Sequence, residues 1–110
     1  MAKDVLFSDG KQRYETKGIN QRLNIRYRLK LWEMIDSVKT NLELDYLQVF
    51  DLNYKKQPDQ SYVQQIIHSQ EVSEYSKVHT FSCTKDECIA GKIFVIDDGE
   101  YCTILWAEEY

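Results

Sequence analysis

The hydrophobic positions between residues 31 and 42 recur with the period of an α-helix. Apolar side chains at i, i+4, i+7 and i+11 form one stripe along such a helix: Leu31, Ile35, Val38 and Leu42. Asn24 precedes this stripe and is a residue type that caps helix N-termini. The pattern therefore predicts one main helix, which begins at Asn24 and ends near Thr40.

After this helix the pattern changes to that of β-strands. Residues 44–52 are rich in aromatic and branched side chains, and residues 61–70 have a strand-like apolar centre. Residues 12–17 alternate more loosely and indicate an edge strand, and residues 78–83 indicate another strand. We expect residues 1–110 to form a single α+β domain, with one main helix packed on an antiparallel sheet of about five strands.

The end of the chain contains the clearest local motif. Residues 92–96 and 101–106 are apolar runs that flank the sequence Asp97-Asp98-Gly99-Glu100. Asp-Gly between two such runs is typical of a hairpin with a type I′ turn, because this turn needs two residues with positive φ. With Asp98-Gly99 as the loop, Ile96 faces Tyr101 and Phe94 faces Thr103.

Both faces of this predicted hairpin are apolar, so each face needs a cover. One face carries Ile93, Val95, Cys102, Ile104 and Trp106, and the main helix can cover it. The other face carries Phe94, Ile96, Tyr101, Thr103 and Leu105. Its cover is either another part of the chain, such as residues 1–18 or 71–90, or another protein molecule. In the second case Phe94, Ile96, Tyr101 and Leu105 form an interface with a target protein or with a second copy in a homodimer.

Composition supports a folded domain with a core. Hydrophobic residues make up 43% of the 110 residues. We expect the core to include Trp32, Ile35, Val38, Phe50, Ile93, Val95 and Ile104. No apolar run approaches the roughly 18 residues of a spanning helix, and no apolar signal region follows Met1. A cytoplasmic protein is therefore expected.

Charge is unevenly distributed along the chain. The net charge of −4 argues against general nucleic-acid binding, which favours basic domains. Residues 11–30 nevertheless carry seven cations against one carboxylate, and residues 86–110 carry seven carboxylates against one cation. The two segments either neutralise each other in the fold or present separate charged faces to partners. Nucleic-acid binding through the basic segment is one alternative, with Arg22, Arg26, Arg28 and Lys30 as the phosphate-binding residues.

The thiols and one histidine could bind zinc or form a catalytic pair. The possible zinc ligands are His79, Cys83, Cys88 and Cys102, but the chain has one loose cysteine pair where structural zinc sites often have two tight pairs. His79 and Cys83 would share a strand face as a base and a nucleophile, yet no glycine turn for an oxyanion hole accompanies them. We predict no metal, no cofactor and no enzymatic activity.

Polar side chains concentrate on and after the strands at residues 44–52 and 61–70. If these strands pair, the polar cluster contains Asp45, Gln48, His68 and Gln70, with Glu71 and Tyr75 following. A solvated strand face is the simpler interpretation, because polar strand faces are common. The alternative is a binding surface, including a small-ligand or hydrolytic site around His68.

Six short sequence motifs, taken together and in this order, are specific enough to indicate a protein family. They are residues 14–19, 31–36, 44–50, 67–71, 95–101 and 107–110. They resemble a small uncharacterised family, of the domain-of-unknown-function class, found in Gram-positive bacteria and their phages and mobile elements. The resemblance covers about residues 13–110 and implies a cytoplasmic bacterial or phage origin. It implies no activity, substrate or cofactor.

The absence of a catalytic motif favours a role in binding. We expect a small soluble protein–protein interaction module with a regulatory or inhibitory function. Its partner is another protein or a second copy of the chain. Small acidic phage-encoded inhibitors of host enzymes or defence systems share this physical profile, which is an analogy from fold-level properties.

Overall fold

The computed structural model describes residues 5–110, which form one six-stranded sheet and two helices. The strands are β1 (Gln12–Glu15), β2 (Leu47–Lys56), β3 (Tyr62–Gln70), β4 (Tyr75–Cys83), β5 (Gly91–Asp97) and β6 (Tyr101–Trp106). The helices are α1 (Lys17–Arg22) and α2 (Ile25–Val38), and short 3₁₀ turns occur at Lys85–Glu87 and Ala107–Glu109. None of the helices in the described residues is long and apolar enough to cross a membrane.

Both helices begin at side chains that cap their backbone. The Asn24 side chain accepts a hydrogen bond from the Tyr27 N–H at 2.9 Å, which confirms the predicted start of the main helix. The Thr16 hydroxyl oxygen caps α1 in the same way, accepting from the Ile19 N–H at 3.2 Å. Helix α1 was not predicted, because six residues are too few to show a helical period.

The sheet has the order β1-β6-β5-β2-β3-β4. The predicted α+β class is confirmed, but the sheet has six strands where about five were expected. It is also mixed, because β1 pairs with β6 in parallel while the other four pairings are antiparallel. Local sequence could not predict this parallel pair, since residues 12 and 101 are paired across almost the whole chain.

The terminal hairpin turns one residue later than predicted. Ile96 pairs with Thr103 and Phe94 with Leu105, so the predicted pairings with Tyr101 and Thr103 are wrong. The reason is that Asp98 stays outside the loop: its N–H donates to the Tyr101 carbonyl, and its carboxylate accepts from the Tyr101 N–H. Gly99, with φ of +104°, is then the first loop residue, as in a type II′ turn. The two predicted faces of the hairpin are unchanged.

The core lies between the helices and one face of the sheet. It contains Ile19, Leu23, Tyr27, Leu31 and Ile35 from the helices, and Phe50, Leu52, Ile66, Ile93, Val95, Ile104 and Trp106 from the strands. Five of the seven predicted core residues are buried. Trp32 and Val38 are only half-buried, because they lie on the flanks of α2, where the Arg13 guanidinium stacks 4.5 Å above the Trp32 ring.

The segment before β1 closes one end of this core. Phe7 is buried, and its N–H donates to the Asp97 carboxylate at 2.7 Å. Lys11 forms a 2.8 Å ion pair with the same carboxylate, and both side chains are almost inaccessible to solvent. Burial alone would raise the pKa of Asp97, but Lys11 and the N–H groups of Phe7 and Gly99 lower it below its ordinary value.

Candidate functional site

The face of the sheet opposite the helices, here called the open face, is not covered by any helix or strand of residues 5–110, although Tyr110 packs against Phe94 on it. Its apolar members include Leu47, Val49, Ile67, Phe94 and Ile96, all half-buried. None of these five belongs to the buried core or packs against it. Of the segments proposed as a cover, residues 1–4 lie outside the described residues, Phe7 packs into the core on the other side of the sheet, and residues 75–83 form strand β4.

Strand register arranges these side chains in rows across the sheet. One row runs through Leu105, Phe94 and Val49, which are successive cross-strand partners on β6, β5 and β2. A neighbouring row runs through Tyr14, Thr103, Ile96 and Leu47. Directly paired side chains on one sheet face lie about 5 Å apart. The rows therefore form one continuous apolar surface.

Aromatic side chains line one side of the open face. The Tyr14 and Tyr101 rings contact edge to face with their centroids 5.1 Å apart, and both residues are exposed. Tyr110 lies against Phe94 with a centroid separation of 5.7 Å, while 74% of Tyr110 remains exposed. Of the four predicted interface residues, Phe94, Ile96 and Tyr101 are accessible, and Leu105 is nearly buried at 9%.

The open face carries little charge. Strand alternation places Asp51, Lys55 and Lys92 on it, and all its other strand positions are apolar or uncharged polar. Asp51 and Lys92 lie 3.8 Å apart and are both about half exposed. The face is therefore nearly neutral, in a chain in which 29% of the residues are charged.

The polar cluster predicted around His68 lies on the covered face, so the interpretation as a solvated strand face is wrong. Gln48, His68 and Gln70 are buried. The sequence could not show which face of β3 the helices cover, because each face of this strand carries both apolar and polar residues. Asp45 is half-buried and Tyr75 partly so, whereas Glu71 is exposed in the following turn.

The hydrogen bonds of this cluster hold two connections together. The Gln70 amide donates to the carbonyls of Glu43 and Ser73, at 3.0 and 2.6 Å, and its oxygen accepts from the Asp45 N–H. The Gln48 amide nitrogen donates to the Gln70 side-chain oxygen at 2.7 Å. The cluster thus ties the chain before β2 to the β3–β4 turn, which is a structural role.

The same network fixes the tautomer of His68. Because the Gln48 amide nitrogen is already donating, its oxygen faces His68 Nε2 at 2.6 Å, and Nε2 must carry the proton. His68 Nδ1 is then an acceptor, and it has no hydrogen-bond partner among residues 5–110. The ring stacks on Phe50 at 4.4 Å. Burial, and secondarily His79, lowers the pKa of His68 to about 4.

Because the pKa of His68 is lowered by folding, we expect the protein to lose stability in mild acid. The folded pKa of about 4 lies below the ordinary value of 6.5, so the neutral ring contributes stability above pH 6.5 that is lost as the pH falls toward 4. The expected loss at pH 4 is about 3 kcal/mol in the free energy of unfolding. Urea denaturation at pH 7, 5.5 and 4.5 measures it. His68→Gln should flatten this dependence, while His79→Gln, at a half-buried site, should flatten it less. Equal slopes for His68→Gln and the parent would contradict the assignment.

The four basic residues proposed for phosphate binding do not form one surface. Arg26 pairs with Glu87 at 3.0 Å, after β4, whereas Arg28 pairs with Glu15 at the end of β1. β4 and β1 are the opposite edges of the sheet. Arg22 pairs with Glu108 at 3.3 Å and stacks on Trp106, and Lys30 lies over the Phe81 ring. The acidic and basic segments are therefore neighbours in the fold, as the simpler interpretation of their charges expected.

The histidine and thiols are dispersed rather than gathered into one site. Within residues 5–110, no group of three or more His, Cys, Asp or Glu side chains is placed to hold a metal ion. Within these residues, no hydrogen bond joins His79 to Cys83. Cys102 is buried on β6, where burial, together with Asp97, raises the pKa of its thiol to about 12. Cys83 and Cys88 are in contact, with their sulfur atoms 3.4 Å apart.

Comparison with known proteins gives a family for this fold. Residues 12–109 match the model of a family described as "Staphylococcal protein of unknown function (DUF960)". The chain belongs to this family. A solved structure, of a protein of unknown function from Enterococcus faecalis, is similar to this DUF960 chain, with 27% identity and a TM-score of 0.76 over 94% of each chain. A comparison with curated proteins found no match.

These findings confirm the resemblance to an uncharacterised domain family of Gram-positive bacteria. Neither comparison concerns phages or mobile elements. Sequence reasoning identified the apolar residues of the open face on β5 and β6. It missed their continuation onto β2 and β3, through Val49 and Ile67, because the alternation of those strands does not show which residues face the helices.

Proposed function

We propose that this DUF960 protein is a non-catalytic protein–protein interaction module that binds through the open face. The observation that supports this proposal is the apolar pair Phe94 and Val49, which is half-buried, lies outside the core and has no helix or strand of residues 5–110 over it. Leu105 continues this row but is only 9% exposed. Contiguous apolar surface of this kind on a soluble protein usually marks an interaction site. Its aromatic side chains and few charges resemble the centre of a protein interface.

The occupant that the open face favours is a second copy of this chain. Each copy carries a net charge of −4, so contact through an acidic surface would bring like charges together. The open face avoids this, because its charged residues are Asp51, Lys55 and Lys92. In a two-fold interface, each residue i that contacts residue j is matched by j contacting i. Asp51 of one copy and Lys92 of the other can then pair in both directions.

Self-association should depend on Phe94. We expect the parent to sediment as a dimer at micromolar concentration, and Phe94→Glu to raise the dissociation constant at least about 30-fold, since a buried interface anchor contributes about 2 kcal/mol or more. Tyr101→Glu tests the same surface at a more exposed position, where unfolding is not expected. Sedimentation equilibrium measures the constant, and circular dichroism establishes that each variant is folded.

Leu29→Glu is the matched control for these two variants. Leu29 is 56% exposed and lies on α2, in the layer on the other side of the sheet. It should leave the dissociation constant unchanged. A parent protein that remains monomeric at several hundred micromolar would overturn self-association, and so would folded Phe94→Glu and Tyr101→Glu variants that dimerise like the parent.

We propose a regulatory or inhibitory role for this module, in the cytoplasm. Carriage on a phage or mobile element, which the resemblance implied, would suit an inhibitor of a host enzyme or defence system. Binding of nucleic acid through Arg22, Arg26, Arg28 and Lys30 receives less support, because each of these cations contacts a carboxylate or an aromatic ring within the fold. The buried position of His68 likewise gives less support to a hydrolytic site there.

A further inference from the structure

Two of the three cysteines lie close enough to react with each other. Cys83 is the last residue of β4, and Cys88 follows the 3₁₀ turn Lys85–Glu87. Their sulfur atoms are 3.4 Å apart, and both residues are half-buried. A disulfide bond has a sulfur–sulfur distance of about 2.0 Å, so the two sulfur atoms must approach each other by about 1.4 Å to form it.

The turn between the two thiols holds them in this arrangement. The Glu87 carboxylate accepts from the Thr84 N–H at 3.0 Å, and the Glu87 N–H donates to the Thr84 carbonyl at 3.0 Å. Arg26 pairs with Glu87 at 3.0 Å, which fastens the turn to helix α2. The Cys88 thiol donates to the Thr84 carbonyl at 3.3 Å. The juxtaposition therefore rests on an anchored turn.

We infer that Cys83 and Cys88 form a redox-active thiol pair, which a low-molecular-weight disulfide converts into an intramolecular disulfide in the folded protein. This pair lies at the β4 edge on the helix-covered side of the sheet, so the inference is independent of the proposed function of the open face. Cys102 takes no part, because β5, β2 and β3 separate its strand from β4.

The reaction consists of two thiol–disulfide exchanges. The Cys83 thiolate attacks one sulfur of the small disulfide, a mixed disulfide forms on Cys83, and one small thiolate leaves. Cys88 then releases its proton to solvent and attacks the Cys83 sulfur, which expels the second small thiolate. Overall, two protein thiols are oxidised to one disulfide, and one small disulfide is reduced to two thiols.

Cys88 suits the second step better than the first. Burial and the neighbouring Cys83 raise the pKa of the Cys88 thiol to about 11, so little thiolate is present at neutral pH. Ring closure should therefore accelerate as the pH rises from 7 to 9, because the thiolate fraction of Cys88 increases.

Oxidised glutathione is a suitable probe for this pair. The reduced full-length protein is incubated with it without denaturant, quenched in acid, unfolded and alkylated, and the products are identified by intact mass and peptide mapping. The expected product has lost two hydrogen atoms and two alkylation sites, carries a Cys83–Cys88 link, and has Cys102 alkylated. Circular dichroism should be the same before and after oxidation.

Single serine substitutions provide the controls. Cys102→Ser should form the same link at the parent's rate, whereas Cys88→Ser should stop at a stable mixed disulfide on Cys83. The inference is overturned if glutathione remains on the parent as it does on Cys88→Ser, if both thiols become separately glutathionylated, or if the thiols react only after denaturation. A link between two chains in place of the internal one would also overturn it.

Discussion

Replacing Trp106 by alanine should lower the free energy of unfolding by about 3–5 kcal/mol, as large aromatic truncations in cores do. Trp106 is 1% exposed and is the largest fully buried side chain in the described residues. Its indole N–H donates to the Gly18 carbonyl at 3.1 Å, and the Arg22 guanidinium lies 4.2 Å above the ring. The substitution would therefore leave a cavity and remove a buried hydrogen bond where β6 meets α1.

Chemical denaturation followed by far-ultraviolet circular dichroism measures this loss. Trp32→Ala is the matched control, because Trp32 is only half-buried on the flank of α2, and it should cost clearly less than Trp106→Ala. Gly91 packs against the same ring, because a Cβ added at this position would lie 2.8 Å from the Trp106 ring. The φ of Gly91 is +150°, which also disfavours a side chain there. If Trp106→Ala unfolds within error of the parent midpoint, the packing described for Trp106 is wrong.

Replacing Asp97 by alanine should lower the free energy of unfolding by a similar amount, about 3–5 kcal/mol, because it leaves a buried charge without its partner. The Lys11 side chain is 7% exposed and pairs with Asp97 at 2.8 Å. The Phe7 and Gly99 N–H groups would also lose their acceptor. The loss should be measurable as a shift of the urea midpoint at pH 7.

Two further variants separate this effect from a general effect of charge removal. Asp51→Ala breaks the exposed pair with Lys92 and should change stability by no more than about 1 kcal/mol. Adding Lys11→Met to Asp97→Ala should restore part of the lost stability, because it removes the unpaired buried charge. A double variant as unstable as the sum of both single variants would contradict the pairing.

A disulfide between Cys83 and Cys88 would constrain the connection between β4 and β5, which contains Ile89 and ends at Gly91. The N–H and carbonyl of Ile89, in this connection, bond to the buried Gln64 side chain at 3.0 and 2.9 Å. A disulfide at residues 83–88 would therefore act on a segment already anchored to β3. This anchoring is consistent with a pair that can close without unfolding the domain.

The sequence by itself determined the main elements of this protein. The period of Leu31 and Ile35 and the capping residue Asn24 predicted α2 with its correct start, because helix period and caps are local properties. Alternation in residues 92–106 predicted both faces of the terminal hairpin, since side chains alternate faces whatever the exact register. The same alternation identified Phe94 and Ile96 as candidate interface residues.

Only the tertiary structure decided which face the helices cover and which residues share it. Gln48, His68 and Gln70 alternate like solvated residues, yet they are buried, and hydrogen bonds to one another and to the nearby turns satisfy their polar groups. The parallel pairing of β1 with β6 and the contact of Cys83 with Cys88 likewise depend on how distant or looped segments meet. A periodic pattern specifies the two sides of a strand, but the packing of the whole chain determines which side meets solvent.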